Sequence, residues 1–179
     1  MFKNAILAIK TAELANISIN SIKRGLEKFS GVEGRMQFLG EKKGIIFYND
    51  NNSTTPNSTI VGLKSLKEKY SKRRIFLIGG GTDKGFEYQE LANFIEKNIA
   101  HTLLFEASGT EKMIKSFSKG FDKFDVIDFM KDIPKKLTGK IHKGDIIILS
   151  PACSSFGKQF KNEYDRSEQF IKFFKNFIY

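Results

Sequence analysis

The stretch from Gly144 to Arg166 constrains the fold of this chain more than any other. It begins with four consecutive branched aliphatic residues, Ile146 to Leu149, and this length and composition are typical of a buried strand. The run stops abruptly at Ser150-Pro151 and is followed by small polar residues and then by an amphipathic helical pattern. Open α/β sheets bind ligands at the carboxyl ends of their strands. The stretch therefore predicts a binding loop that follows a buried strand.

Strand and helix patterns alternate along most of the chain. Two short β-type runs around residues 41–44 indicate a hairpin, and a helix is expected to start at Thr55-Pro56, with proline in its first turn. The alternation that follows is typical of βαβ units, so the predicted fold class is α/β with a mostly parallel sheet and right-handed crossovers. The predicted strands are 74–78, 101–105, 125–129 and 146–149, and the predicted helices are 88–99, 111–117, 131–137 and 163–177.

The amino-terminal residues differ in character from the rest of the chain. Two helical patterns follow each other there, with Ser18 as the predicted N-cap of the second helix and Gly31 as its predicted stop. This all-helical start gives way to the α/β pattern between Gly31 and Arg35. We therefore predict a domain boundary that separates residues 1–34 from residues 35–179.

Composition limits the classes of protein to consider. The 179 residues include a single cysteine, Cys153, which excludes an internal disulfide and fits a reducing cytoplasm. No apolar run approaches the roughly 20 residues that cross a bilayer. The start of the chain lacks a small-residue cleavage site. Neither a membrane span nor a signal peptide is therefore expected.

The net charge of +10 raises the question of nucleic-acid binding. The lysines are spread along almost every segment, and dense clusters occur only at Lys67–Arg74 and in the carboxyl-terminal tail. The sequence has no recognition-helix, zinc-finger or RNP-type signature. We therefore regard nucleic-acid binding as a weaker interpretation than an ordinary globular domain.

Three polar loops follow three predicted strands: NDNNSTT after residue 48, GGGTDKG after residue 78 and SPACSSFGKQFKN after residue 149. In a parallel sheet such loops lie at the same edge, so we expect Asp50, Thr54, Lys84 and Ser155 to converge. Small hydroxyls, one lysine and backbone N–H groups form a suitable cradle for carboxylates or phosphates. The sequence thus predicts an anion site at this edge.

The loop GGGTDKG can be either a tight connection or an anion-binding loop. It is not a Walker A loop, because Lys84 is followed by Gly85 where serine or threonine would bind magnesium. It is not the dinucleotide fingerprint either, because Lys84 stands where the last glycine belongs. The Asp83-Lys84 pair favours the anion-binding interpretation.

Other candidate residues are predicted to be structural. Cys153 adjoins the apolar strand and is expected to pack as a small hydrophobic residue. His101 and His142 are isolated and show no zinc-ligand spacing, and SPACSS lacks the G-x-S-x-G pattern of a nucleophile elbow. The core face of the last helix is predicted to consist of Phe170, Phe173, Phe174 and Phe177.

Taken together, the motifs YND…TTPNST, LIGGGTDKG, GDIIILSPACSSF and FKNEYDR resemble, in this order, the carboxyl-terminal domain of Mur ligases. The resemblance covers essentially the whole chain. LSPACSSF and FKNEYDR resemble the members that add D-glutamate to UDP-N-acetylmuramoyl-L-alanine in peptidoglycan synthesis. The resemblance implies a Rossmann-like three-layer domain with a mostly parallel sheet, preceded in residues 1–34 by a short helical tail of the family's central ATPase domain.

The resemblance also implies a reaction and a set of site residues. In this family ATP phosphorylates a carboxylate of the substrate, and the amine of D-glutamate attacks the resulting acyl phosphate. Thr54, Lys84 and Ser155 match positions that hold the D-glutamate carboxylates, whereas Arg35 and Asp50 match positions that contact the nucleotide. None of the five transfers a proton, so this part of the enzyme is expected to position substrates and to contain no catalytic residue.

Several parts of the family pattern are missing or altered. The chain lacks the G-K-[ST] phosphate loop, the magnesium ligands and the domain for the uridine nucleotide. ATP and magnesium are therefore expected to bind mainly to domains missing from this chain, for which a separate chain is one source, and the fragment alone is expected to be inactive. Gly34, Asn52 and Ser167 replace residues that are usual in the family. Two alternatives stay open, a stand-alone module that binds an acidic amino acid or a nucleotide, and a basic nucleic-acid binding protein.

Overall fold

The structure is a computed structural model that describes residues 2–155 and 158–177. It separates into two compact units, Met1–Gly31 and Val32–Tyr179. The division lies at the start of the region in which the sequence predicts a boundary. In the part of the chain that the structure describes, no helix is both long and apolar enough to cross a membrane.

The first unit consists of two helices, α1 (Phe2–Leu14) and α2 (Ile19–Lys28). The predicted N-cap is confirmed, since Ser18 Oγ accepts a hydrogen bond from the N–H of Ser21 at 3.3 Å. Leu14 is 86% exposed, so much of the apolar surface of this unit faces solvent. The large apolar residues that are exposed in the described part of this unit are Ile6, Leu7, Leu14, Ile17, Ile19, Leu26 and Phe29.

The second unit is built on one six-stranded sheet with the strand order β1-β2-β6-β3-β4-β5. The first strand pairs antiparallel with the second, as the predicted hairpin requires, and all other neighbours are parallel. The prediction of a mostly parallel sheet is therefore confirmed. The strands are β1 (Gln37–Lys42), β2 (Ile45–Asn49), β3 (Ile75–Gly80), β4 (His101–Phe105), β5 (Phe124–Ile127) and β6 (Ile146–Leu149).

Among the described residues, the second unit contains five α-helices, of which four connect successive strands and the last follows β6. Proline lies at the first position of the helix after β2, as predicted, and a short 3₁₀ turn (Met130–Asp132) leads into the helix before β6. The predicted helix bounds agree with the observed bounds within a few residues. The largest difference is at the helix predicted to begin at residue 111, which begins at Ser108. The helices are α3 (Pro56–Lys69), α4 (Gln89–Asn98), α5 (Ser108–Lys115), α6 (Ile133–Leu137) and α7 (Glu163–Lys175).

The sheet separates two hydrophobic cores, because successive side chains of a strand point to opposite faces. Ile46 and Tyr48 of β2 belong to the core shared with α3, α4 and α5. Ile45 and Phe47 belong to the core shared with α6 and α7. The three-layer arrangement expected from the family resemblance is thus present.

Three phenylalanines of α7 and Phe177, which follows the helix, form part of the second core, as predicted. Phe170 is fully buried, and the ring of Phe47 lies 5.0–6.1 Å from the rings of Phe173, Phe174 and Phe177. Edge-on and tilted ring pairs at this separation contribute packing energy beyond the area they bury. These aromatic residues therefore fix α7 against the sheet.

The predicted end of β3 is wrong, because the strand continues through two residues assigned to a loop. Gly79 and Gly80 pair with Leu104 and Phe105 of β4. A Cβ atom on Gly80 would collide with Thr110 Oγ1, and one on Gly79 would lie 3.2 Å from the carbonyl oxygen of Ser150. The glycines therefore extend the strand where neighbouring chain segments approach too closely for a side chain.

Candidate functional site

The candidate site lies at the carboxyl edge of three neighbouring strands. Because β2, β6 and β3 are adjacent in the sheet, the loops that follow them are adjacent too. We call them the β2 loop (50–55), the β6 loop (150–162) and the β3 loop (81–88). Phe156 and Gly157 of the β6 loop lie outside the described residues.

The β6 loop is joined to the other two loops through the main chain. Thr82 and Ser154 each donate an N–H to the other's carbonyl oxygen, both at 3.1 Å. On the other side, the N–H of Ala152 donates to the carbonyl oxygen of Ser53 at 2.9 Å. These three hydrogen bonds join main-chain groups, so they do not depend on residue type as hydrogen bonds from side chains would. The three loops therefore form one connected wall.

A cleft of about 370 Å³ opens between these loops and the start of α7. Thr54 comes from the β2 loop, Lys84 from the β3 loop and Ser155 from the β6 loop, and Arg35 reaches the cleft from the segment before β1. Of the four residues predicted to converge, Thr54, Lys84 and Ser155 line this cleft and Asp50 does not. The residues that line the cleft are Arg35, Asn52, Thr54, Lys84, Ser154, Ser155, Glu163 and Tyr164.

Asp50 does not join the other predicted site residues in the cleft lining. It is 2% exposed, and its carboxylate accepts hydrogen bonds from the N–H of Met36 at 3.0 Å and from Ser150 Oγ at 2.8 Å. Burial raises the pKa of Asp50 above its ordinary value, although these hydrogen bonds oppose the shift. Asp50 thus links the start of the unit to the β6 loop, and its contact with a nucleotide stays a prediction.

The expectation that the β3 loop cradles an anion with its backbone is wrong for most of the loop. The N–H of Gly80 donates to the carbonyl oxygen of Pro151, that of Gly81 to Thr110 Oγ1, and that of Asp83 to Ser108 Oγ. The carboxylate of Asp83 also pairs with Lys112 Nζ at 2.8 Å, and this contact lowers the pKa of Asp83. Lys84 is exposed and is the cation that this loop contributes to the cleft.

Arg166 supports the cleft from behind, and its role was not predicted. This side chain is fully buried in α7. Its Nε and Nη2 donate to the side-chain and main-chain oxygens of Asn51 at 2.7 and 3.1 Å, and its Nη1 donates to the carbonyl oxygen of Cys153 at 3.4 Å. Burial lowers the pKa of Arg166 to about 10, so it remains charged at neutral pH. It thereby fixes the neighbours of the cleft residues Asn52 and Ser154.

The sequence contains one signal that points to Arg166. It precedes the buried Phe170 by four residues, and residues four apart lie on the same face of a helix. An arginine on the apolar face of a helix must satisfy its donors inside the protein. This spacing therefore predicts a buried hydrogen-bond network at Arg166.

Two of the altered family positions are in direct contact. The N–H of Asn52 donates to the carbonyl oxygen of Gly34 at 2.9 Å, and its Nδ2 donates to that of Glu33 at 3.1 Å. Gly34 has a φ of +70°, and a Cβ atom there would lie 3.0 Å from Asn52 Nδ2. A side chain at position 34 would therefore displace the Asn52 amide, so the residue types that fit at positions 34 and 52 depend on each other. The third altered residue, Ser167, accepts a hydrogen bond from Asn49 Nδ2 at 2.9 Å.

Cys153 packs as a small buried residue, as predicted. It is fully buried and lies 3.2 Å from the hydroxyl oxygen of Tyr88. Burial raises the pKa of the Cys153 thiol to about 11, so the thiolate that nucleophilic chemistry needs is scarce at neutral pH. Within the described residues, no cluster of three or more histidine, cysteine or carboxylate side chains is arranged to hold a metal ion.

Residues 34–153 match the model of the Mur ligase family described as the glutamate ligase domain. The chain belongs to the Mur ligase family. A curated Mur ligase from Caldanaerobacter subterraneus subsp. tengcongensis, UDP-N-acetylmuramoylalanine–D-glutamate ligase, is 34% identical over 172 residues. The enzyme of the same name from Borreliella burgdorferi is 36% identical over 162 residues. These alignments cover 95% and 90% of the chain but only 37% and 35% of the two relatives, so the chain spans little more than a third of their length.

Solved structures of other Mur ligases share the fold. The UDP-N-acetylmuramate–alanine ligase of Thermotoga maritima superposes with a TM-score of 0.70 at 16% identity, covering 96% of this chain and 37% of that one. The murein peptide ligase of Psychrobacter arcticus superposes with a TM-score of 0.66 at 21% identity, covering 98% of this chain and 37% of that one. At these identities the similarity concerns the fold alone.

Proposed function

We propose that this chain is the carboxyl-terminal portion of an ATP-dependent ligase that adds D-glutamate to UDP-N-acetylmuramoyl-L-alanine in peptidoglycan synthesis. The observation that carries the proposal is the cleft to which Thr54, Lys84 and Ser155 come from three different loops. The family membership and the D-glutamate ligase relatives support the same assignment. We place this reaction in the cytoplasm, where a free thiol such as Cys153 is stable.

The proposed cleft chemistry is the positioning of a small dicarboxylate. The Lys84 ammonium acts as a point charge for one carboxylate, and the hydroxyls of Thr54 and Ser155 donate hydrogen bonds that fix orientation. Ser155 is only 5% exposed, so a bond to its hydroxyl is shielded from water. Arg35 supplies a second cation to the cleft, and we propose that it contacts the nucleotide. The contact of Asp50 with the nucleotide, which the family resemblance implies, requires its carboxylate to leave Met36 and Ser150.

The remaining steps belong to other parts of the enzyme in this proposal. ATP and magnesium form the acyl phosphate on UDP-N-acetylmuramoyl-L-alanine, and the cleft presents the amine of D-glutamate to it. The chain spans little more than a third of its curated relatives. We therefore propose that the phosphate loop and the uridine-nucleotide site lie in the remaining domains, on the same or on a separate chain.

The test is complementation by a chain that carries the corresponding domains of the Caldanaerobacter subterraneus relative. We expect ADP release that depends on D-glutamate. Lys84→Ala should reduce it by about 10–100-fold, the effect of losing one charge-assisted hydrogen bond worth about 1.5–3 kcal/mol. Lys119→Ala removes the same charge from an exposed position and should have no effect. Equal activity of the Lys84→Ala and Lys119→Ala variants would contradict the site assignment.

Calorimetry on the chain alone separates this proposal from a stand-alone binding module. With half of each site on other domains, D-glutamate, L-glutamate and ADP should bind no more tightly than roughly millimolar. Micromolar binding of any of the three would favour the binding module instead.

A further inference from the structure

A second cavity, of about 440 Å³, lies at the opposite edge of the sheet, where β3 and β6 begin. One wall comes from the end of the basic run Lys67–Arg74, which the proposed ligase function leaves unexplained. The six residues of β3 separate this edge from the cleft by about 20 Å, at roughly 3.3 Å per residue. The cavity is lined by Lys72, Arg73, Arg74, His142, Lys143, Gly144 and Asp145.

The acidic residue of this cavity is already committed to other groups. Asp145 is 4% exposed and accepts hydrogen bonds from Arg74 Nε at 2.9 Å and from Arg74 Nη2 at 2.5 Å. It also accepts the N–H of His142 at 2.7 Å. The charge of Asp145 is thus balanced by Arg74, and its oxygens are occupied. It neither repels an anion effectively nor offers an acceptor to a cation.

The other basic residues of the cavity keep their charge available. Lys72 and Lys143 are exposed and, within residues 2–155 and 158–177, form no ion pair. The guanidinium of Arg73 lies 5.5 Å from the centre of the Tyr70 ring, a cation–π contact that orients it without neutralising it. Three positive charges therefore remain after the Arg74–Asp145 pair is counted.

His142 lines the cavity beside these charges. Its Nδ1 lies 2.7 Å from Arg74 Nη2, which can only donate, and 3.2 Å from the carbonyl oxygen of Lys140, which can only accept. The ring is therefore counted neither as a donor nor as a charge. The remaining polar side chains that line the cavity, apart from the occupied carboxylate, are the ammoniums and guanidiniums of Lys72, Arg73, Arg74 and Lys143.

We infer that this cavity binds a polyphosphate anion, such as the phosphate chain of a nucleotide or inorganic tripolyphosphate. Its volume accommodates a small anion, and all three charged residues border the same shallow cavity instead of extending along the surface as a stripe for a polymer would. Lysine ammoniums bind phosphates as point charges, and the Arg73 fork matches phosphate geometry. The inference does not depend on the proposed ligase function.

The test is calorimetric titration of the full chain with inorganic tripolyphosphate at physiological salt. We expect saturable binding of one anion per chain, weakened by added salt because the contacts are exposed charges. The double variant Lys72→Ala, Lys143→Ala should weaken binding at least about tenfold, which corresponds to about 1.4 kcal/mol. Lys115→Ala combined with Lys119→Ala removes two exposed charges elsewhere and should change nothing.

Further measurements distinguish tripolyphosphate binding at this cavity from binding at the ligase cleft and from binding to surface charge in general. Lys84→Ala should leave tripolyphosphate binding unchanged, and the Lys72, Lys143 double variant should keep its complemented ADP release and its thermal unfolding midpoint. If adenosine triphosphate binds as tightly as tripolyphosphate, the ligand of this cavity is the phosphate chain of a nucleotide. If adenosine triphosphate binds more weakly, the ligand is free polyphosphate. The inference fails if tripolyphosphate does not saturate, if both lysine pairs weaken it equally, or if a single-stranded oligonucleotide binds more tightly.

Discussion

At the scale of single residues, Arg166 determines how the candidate cleft is held. A buried guanidinium usually meets a carboxylate, but here its hydrogen bonds go to the oxygens of Asn51 and Cys153. These residues adjoin Asn52 and Ser154, which line the cleft. Arg166 therefore acts on the cleft through its neighbours and is a positioning residue.

Replacement of Arg166 by methionine should lower the free energy of unfolding by about 2–3 kcal/mol. Methionine fills a similar volume but leaves buried carbonyl and amide oxygens without donors. Arg166→Lys should cost less, because an ammonium can still donate to some of them. Urea denaturation measures both, with the exposed substitution Lys115→Met as a control that stays within about 0.5 kcal/mol. Wild-type stability in Arg166→Met would mean that the burial cost of the charge cancels its hydrogen bonds.

At the scale of elements, the site depends on how closely the β3 loop approaches the β6 loop. Gly81 has a φ of +144°, and a Cβ atom there would collide with the carbonyl oxygen of Ser154. Ser154 is also the partner of Thr82 in the main-chain bridge between these loops. The glycine is therefore required both by backbone conformation and by space.

Gly81→Ala should destabilise the protein by about 2–4 kcal/mol, because conformational strain and a clash with backbone act together. Gly120→Ala is the matched control, since Gly120 also has a positive φ, +88°, but nothing lies near a Cβ atom there. It should cost only the strain, about 1–2 kcal/mol. Denaturation gives both values, and faster amide exchange at Thr82 and Ser154 in Gly81→Ala alone would locate the damage. Equal losses in the two variants would refute the close-approach argument.

The elements were predictable because the buried strands are runs of branched apolar residues bounded by turn residues. The convergence of Thr54, Lys84 and Ser155 followed from one rule about the edge of a parallel sheet. The burial of the Asp50 carboxylate did not follow from this rule, because it depends on a hydrogen bond from Ser150, which lies 100 residues away in sequence. Local pattern contains no information on such pairings. Gly79 was misassigned for a similar reason, since its strand character comes from the partner strand β4.

At the scale of the whole molecule, acid stability depends on a charged cluster at the β4–β5 edge of the sheet. Asp125 accepts hydrogen bonds from Lys136 Nζ at 2.9 Å and Lys140 Nζ at 2.6 Å, and it lies 2.8 Å from His101 Nε2. Burial alone would raise the pKa of Asp125, but these three contacts outweigh it and hold the pKa well below its usual range. Burial lowers the pKa of His101, although Asp125 opposes the shift.

Both shifts make the protein less stable in acid. The unfolded chain binds more protons than the folded one, so stability falls below about pH 6.5 through His101 and more steeply below about pH 4 through Asp125. Asp125→Asn should cost about 1–3 kcal/mol at pH 7 and should flatten the steeper acid limb. Denaturation between pH 3 and pH 8 measures this. If the stability of Asp125→Asn falls as steeply below pH 4 as that of the wild type, the loss of stability in acid is caused by other carboxylates.

The bridge between Thr82 and Ser154 has a consequence for how this protein can change. It is made by peptide groups, which every residue except proline carries alike, so replacement of the Thr82 or Ser154 side chain leaves these hydrogen bonds in place as long as position 81 stays glycine. In the proposed function, recognition resides instead in side chains, namely the Lys84 ammonium and the hydroxyls of Thr54 and Ser155. Substitution at these three positions can therefore alter which molecule is accepted without rebuilding the scaffold.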